Sequence, residues 1–209
     1  MQNESHGARR RREILGVAAD LSTAEGLEGL SFSRIAEEVG LTKAGVAAHF
    51  ESKEALQLAV VDAAADLYTA PIIAAAQNSE PGLPRLRALA LAWLEHLETI
   101  EYRGGCFFVS AGLAFAGRPG PVRDSIAAHT RRFLQMLEEQ ARLAERLGEL
   151  SSDTSPDLLA FQVHALAQEA NLRRELLGVE DAFQQARDAL ADLLVRTSSA
   201  TKRAGRRSS

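Results

Sequence analysis

The stretch LSFSRIAEEVGLTKAGVAAHFESK, residues 30–53, decides how the chain folds. It reads as two short helices around a tight turn. The first is predicted over about 32–39, with the Ser31 side chain capping the free N–H groups of its first turn. Gly40 stands where that helix must stop, because glycine adopts the left-handed backbone of a helix C-terminus at little cost. Thr42 is placed to cap a second helix over about 43–50. Ile35, Ala36 and Val39 fall on one side of the first helix, and Val46 and Phe50 on one side of the second. The small Ala36 lets the two helices cross closely. The pattern is that of a helix-turn-helix, whose second helix enters the DNA major groove while the first crosses the backbone.

Composition sets the surroundings of this unit. The chain has 209 residues, 46% of them hydrophobic and 25% charged, enough for one large domain or a small one joined to a larger one. No apolar run of membrane-spanning length and no secretory leader is read, and the single Cys106 excludes an internal disulfide. A soluble cytoplasmic protein is expected. The net charge of −4 speaks against a general polyanion binder, so DNA binding must depend on local patches. One such patch is the run Arg9 to Arg12, and another is Lys202, Arg203, Arg206 and Arg207.

The rest of the chain reads as helix after helix. A helix is predicted over 8–24, with Ile14, Leu15, Ala18 and Leu21 as its stripe, and another after the cap Ser52 that Pro71 should end or bend. Further helices are predicted over about 86–101, 106–116, 122–147, 156–177 and 181–197, separated by glycine- and proline-containing breaks. The segment 106–116 is almost wholly apolar and short, which suits a buried core helix. No strand pattern or internal repeat is read. The expected class is all-α, with about nine helices, three short ones in front of six.

These features resemble the TetR family of bacterial transcriptional regulators. Leu30-Ser31-Phe32, Ile35-Ala36, Val39-Gly40-Leu41-Thr42-Lys43 and Phe50-Glu51-Ser52-Lys53-Glu54-Ala55-Leu56 carry the resemblance. It implies a homodimer that binds a palindromic double-stranded DNA operator and is released by a small-molecule effector held in the C-terminal part. It also implies a helix-turn-helix domain over 1–53, with 1–7 disordered. A helical ligand-binding and dimerisation domain over 54–198 and a basic disordered tail over 199–209 would follow. Thr42 and Lys43 match the start of the family's recognition helix, and Lys53 a lysine that meets phosphate. Two positions depart from the pattern. Gly45 and Ala47 stand where the family often has threonine and tyrosine, and Gly45 costs roughly 1 kcal/mol of helix stability relative to alanine.

Candidate DNA-binding residues are therefore Arg10, Arg11, Ser31, Thr42, Lys43, Ala44, Ala47, His49 and Lys53. The arginines suit phosphate or minor-groove contact, although a solvated basic run is the plainer reading. Alanines at 44 and 47 suit thymine methyl groups, and His49 fits either a phosphate or a structural role. Effector contacts are expected among Trp93, His96, Phe108, His129, Phe133, His164, Gln168 and Asn171, where core packing is the plainer role for the aromatics. The last two helices are expected to form the dimer surface through Phe161, Leu172, Leu176, Phe183, Leu190 and Leu194.

The five histidines never cluster at ligand spacing, so no metal is expected, and no cofactor. Cys106 reads as a small buried residue rather than a redox group. With no nucleophile elbow, P-loop or paired-carboxylate motif, no catalytic residue and no enzymatic activity are expected. A helical enzyme, and a dimeric DNA-binding protein without an effector, remain the competing readings.

Overall fold

The computed structural model describes residues 6–99 and 103–199. Among them are nine helices: α1 (His6–Glu25), α2 (Phe32–Val39), α3 (Lys43–Ala47), α4 (Lys53–Ala76), α5 (Leu83–Thr99), α6 (Phe107–Phe115), α7 (Pro121–Arg146), α8 (Pro156–Leu177) and α9 (Ala182–Thr197). There is no strand among the described residues, and Leu150 pairs with Ser198 in an isolated antiparallel bridge. The all-α class and the order of helices agree with the sequence.

Several boundaries do not. His6 and Gly7 are already helical, whereas disorder was expected there; residues 1–5 and 200–209 of the expected disordered ends lie outside the described residues. Pro71 neither ends α4 nor stops its ladder, and the helix runs on to Ala76. Proline removes one backbone donor, and burial of Ile72 and Ala76 just beyond it favours continuing the helix. α4 is also long and apolar enough to cross a membrane by length and composition, contrary to the expectation. Its apolarity has a packing role: Leu56, Val60, Val61, Ala64 and Tyr68 recur at helical spacing and are all buried.

Two compact units divide the molecule, and neither is continuous in sequence. One comprises residues 1–68 with 101–130, the other 69–100 with 131–209. By contacts, α6 and the start of α7 group with the helix-turn-helix. A dense set of contacts explains this. The backbone N–H of Gly104 donates to Thr23 Oγ1 at 3.0 Å and that of Arg103 to Asp20 Oδ1 at 3.1 Å, so the last turns of α1 hold the segment before α6. Gly104 is required there, since a Cβ would fall 2.2 Å from the Thr23 carbonyl oxygen. Tyr68 Oη accepts from the Phe107 N–H at 3.3 Å, fixing the first turn of α6 against α4.

In the second unit α5, α8 and α9 pack on one another, burying Leu86, Leu89, Leu94, Leu159, Val163, Phe183 and Leu190. Pro156 opens α8 behind the cap Ser155, whose Oγ accepts from the Leu158 N–H at 3.3 Å. The end of α9 is stitched down as well: the Ser151 N–H donates to the Thr197 carbonyl at 2.8 Å, and the Ser199 N–H to that of Glu149 at 2.7 Å.

Gly104→Ala should destabilise the protein by about 1–3 kcal/mol through that backbone clash. Thermal unfolding checks it; a melting temperature equal to the parent's would mean that the segment yields freely.

Candidate functional site

The helix-turn-helix is built from side-chain caps. Ser31 Oγ accepts from the Arg34 N–H at 3.1 Å, opening α2, and Thr42 Oγ1 accepts from the Gly45 N–H at 3.0 Å, opening α3. Between them Gly40 takes φ 67°, ψ 34°, and its N–H and that of Leu41 close on the Ala36 carbonyl. Ile35, Ala36 and Val46 are buried where the helices meet. Gly45 belongs to this capping geometry, because a Cβ there would press to 3.3 Å on Thr42 Oγ1.

The recognition helix is shorter than predicted. α3 ends at Ala47, and the His49 and Phe50 N–H groups bond three residues back, to Val46 and Ala47, at 3.1 Å. The chain thus leaves α3 through a tighter turn that carries His49. Thr42, Lys43, Ala44 and Ala48 are exposed, with Ala47 and His49 half-buried.

Phe50 anchors this tip. Its ring stacks on Phe32 at 6.4 Å, meets the His49 ring at 6.4 Å, and lies 5.2 Å under the Arg11 guanidinium. That cation–π contact fixes Arg11 beside the recognition helix while leaving it exposed. Arg10 pairs instead with Glu13 at 2.8 Å. Lys53 Nζ donates to the Glu28 carbonyl at 2.6 Å, which holds an exposed ammonium at the head of α4 behind the cap Ser52.

A network missed by the sequence reading braces the same head. Arg34 binds Glu25 at 2.8 Å and Glu38 at 2.8 Å, and Arg103 reaches both Glu38 and Asp20. Hydrogen bonds from Arg103 first, and then Arg34, hold the Glu38 carboxyl below its ordinary range. Arg118 also pairs with Glu28. Such exposed pairs add little stability singly, but together they orient α1, α2 and the segment before α6. Their partners lie up to 90 residues apart in sequence, so no local motif announces them.

The expected effector residues separate into groups. Trp93, Phe133, His164 and Gln168 come together: the Trp93 ring is 4.6 Å from Phe133 and 5.3 Å from His164, and the Gln168 amide nitrogen donates to His164 Nε2 at 3.2 Å. Gln168 Oε1 is buried and has no hydrogen-bond partner. Phe108 and His129 form another group, with rings 6.1 Å apart, Tyr68 edge-on to Phe108, and His129 Nε2 2.9 Å from Asp62. His96 lies half-buried on α5 and Asn171 buried on α8. Tyr68 and Asp62 were not foreseen. A cleft of about 770 Å³ opens elsewhere in the second unit, lined by Leu83, Arg87, Leu91, Glu149, Leu194 and Val195 among others, and includes none of the eight expected residues. Cys106 is buried, and burial pushes its thiol up.

The expected dimer residues also divide. Phe161, Leu172 and Leu176 are 67%, 48% and 72% exposed, and with Leu158 and Ala165 they follow one face of α8. Phe183, Leu190 and Leu194 are buried instead, where α9 packs within its own chain. A single amphipathic stripe can serve an internal or an external contact, and here α9 uses its stripe internally.

Burial lowers the His96 and His164 imidazoles below their ordinary value. The unfolded chain therefore takes up protons that the folded chain refuses, and stability falls as pH drops through about 6.5. The melting temperature should decrease from about pH 7.5 to about pH 5.5, and by less in His164→Gln. An equal decrease in that variant would remove His164 from the effect.

Comparison with known proteins accords with this geometry. Residues 14–60 match the family model described as "Bacterial regulatory proteins, tetR family", and residues 82–190 that described as "Tetracyclin repressor-like, C-terminal domain". No curated protein sequence matches the chain. Among solved structures, a TetR transcriptional regulator from Chloroflexus aurantiacus J-10-FL superposes with a TM-score of 0.82 at 22% identity, covering 92% of this chain and 97% of that one. A transcriptional regulator from Saccharomonospora viridis in complex with choline gives 0.74 at 22%, covering 91% and 97%. AibR in complex with isovaleryl coenzyme A and operator DNA gives 0.69 at 25%, covering 90% and 97%. With its capped helix-turn-helix and a C-terminal match over more than half its length, the chain belongs to the TetR family of DNA-binding transcriptional regulators.

Proposed function

We propose that the protein is a homodimeric repressor that binds a palindromic operator and is released by a small-molecule effector. The observation that carries the DNA half is the surface of α3: Lys43 and Ala44 are exposed behind the Thr42 cap, with Arg11 and Lys53 exposed beside them. This arrangement supports insertion of one short helix in the major groove, with flanking cations on phosphate. Small side chains at 44, 45, 47 and 48 favour methyl contacts and shape over a dense set of base hydrogen bonds. AibR, solved in complex with isovaleryl coenzyme A and operator DNA, supports the pairing of small-molecule and DNA binding. Action on DNA puts the protein in the cytoplasm.

The dimer rests on α8. Leu158, Phe161, Ala165, Leu172 and Leu176 form an apolar face that a second copy covers with two-fold symmetry. Two recognition helices then meet half-sites about 34–36 Å apart, or farther if the heads splay.

The purified protein should retard a fragment from upstream of its own gene, and retardation should weaken with salt. Lys43→Ala and Lys53→Ala should each weaken it roughly tenfold with the dimer intact; unchanged affinity in both would show that α3 is not the reading helix. Phe161→Asp with Leu176→Asp should yield monomers by sedimentation and abolish retardation, and persistence of the dimer would move the interface off α8.

A further inference from the structure

The run Arg9 to Arg12 is not one uniform solvated patch. Arg10 is held by Glu13, whereas among the described residues no carboxylate or carbonyl accepts from Arg11. The Arg11 guanidinium lies over the Phe50 ring at 5.2 Å and stays exposed. That ring is itself fixed: Phe50 is buried, stacked on Phe32 with planes 22° apart, and met edge-on by His49. A guanidinium is weakly hydrated and rests on an aromatic face while its N–H edge stays free, and that edge matches two phosphate oxygens. Fixing the side chain beforehand spares rotamer freedom that a loose arginine would lose on contact. The minor groove is about 7.5 Å deep, and a side chain seated on a buried ring would have to leave it to insert.

We propose that Phe50 is a positioning residue for DNA binding, which holds Arg11 as a clamp on one phosphate beside the recognition helix rather than as a probe of the minor groove. The proposal rests on the reading above that α3 enters the major groove. α3 ends at Ala47 and Phe50 follows in the tighter turn, so the ring presents Arg11 at the tip that meets DNA. In a chain of net charge −4, affinity for a polyanion depends on such placed cations and not on the total.

Fluorescence anisotropy of the full-length protein on a random-sequence duplex, from about 50 to about 200 mM salt, tests this. Arg11→Gln should make the slope of log K against log salt shallower by about 0.9, one phosphate's share. Phe50→Leu should do the same with every charge in place, Phe50→Tyr should keep the wild-type slope, and the Arg11→Gln, Phe50→Leu pair should lose no more than either alone. A merely structural Phe50 would lower the fraction of active protein and leave the slope as it was. In wild type, the ring should also move the Arg11 Nε–H proton resonance upfield of those of the other arginines, which reads the contact even if Phe50→Leu fails to fold. An unchanged slope in Arg11→Gln or in folded Phe50→Leu, a further loss in the pair, a loss confined to A·T-rich duplex, or an unshifted Arg11 resonance would each overturn the proposal. Lys43→Ala on the upstream fragment separates the two readings. If it binds as the parent does while Arg11→Gln loses its slope, the α3 reading fails and the phosphate clamp stands. If it weakens while Arg11→Gln keeps its slope, the clamp fails and α3 stands; no binding by wild type at the lowest salt overturns both.

Discussion

The contact between Gly104 and the last turn of α1 governs the first unit. Two backbone N–H groups, from residues 103 and 104, are spent on side chains of α1, at a distance that admits no Cβ. Because Phe107 opens α6 three residues later, the start of that helix is tied to the same surface that carries α2 and α3. Arg103 extends the tie to Glu38 on α2. α6 is therefore tied to the helix-turn-helix through short, directional bonds. This is why 101–130 falls with the head although it lies far along the chain.

Local chemistry made most of the fold legible. Ser31, Gly40, Thr42 and Ser52 act where the sequence places them, because caps depend on residues a few positions apart. Misreadings arose where tertiary burial or turn geometry overrode a local signal. Pro71 lost to the packing of residues beyond it, and α3 closed early into a tighter turn. The division into units was invisible to sequence, because it depends on contacts between Asp20, Thr23 and residues some eighty positions away.

The candidate sites were legible as chemistry and less so as geometry. The residue types at 42, 43, 93, 133, 164 and 168 marked them out, and the structure joins four of the eight expected effector residues into one group. It sets Phe108 and His129 with Tyr68 and Asp62 instead, a grouping no spacing could reveal. On α9 periodicity identified the apolar stripe but not its destination, since internal and external contacts select the same residues.

The brevity of α3 has a consequence for how such a protein chooses its targets. Five residues, two of them alanine and one glycine, give few bidentate contacts by which a wrong base could be rejected. On the proposed reading, in which a dimer inserts α3 from each copy, discrimination per base pair is small, and the separation and symmetry of the two half-sites become the main address. A genome read this way presents a graded set of sites, occupied in order of spacing and groove shape, and a small change in protein abundance moves the boundary between bound and unbound.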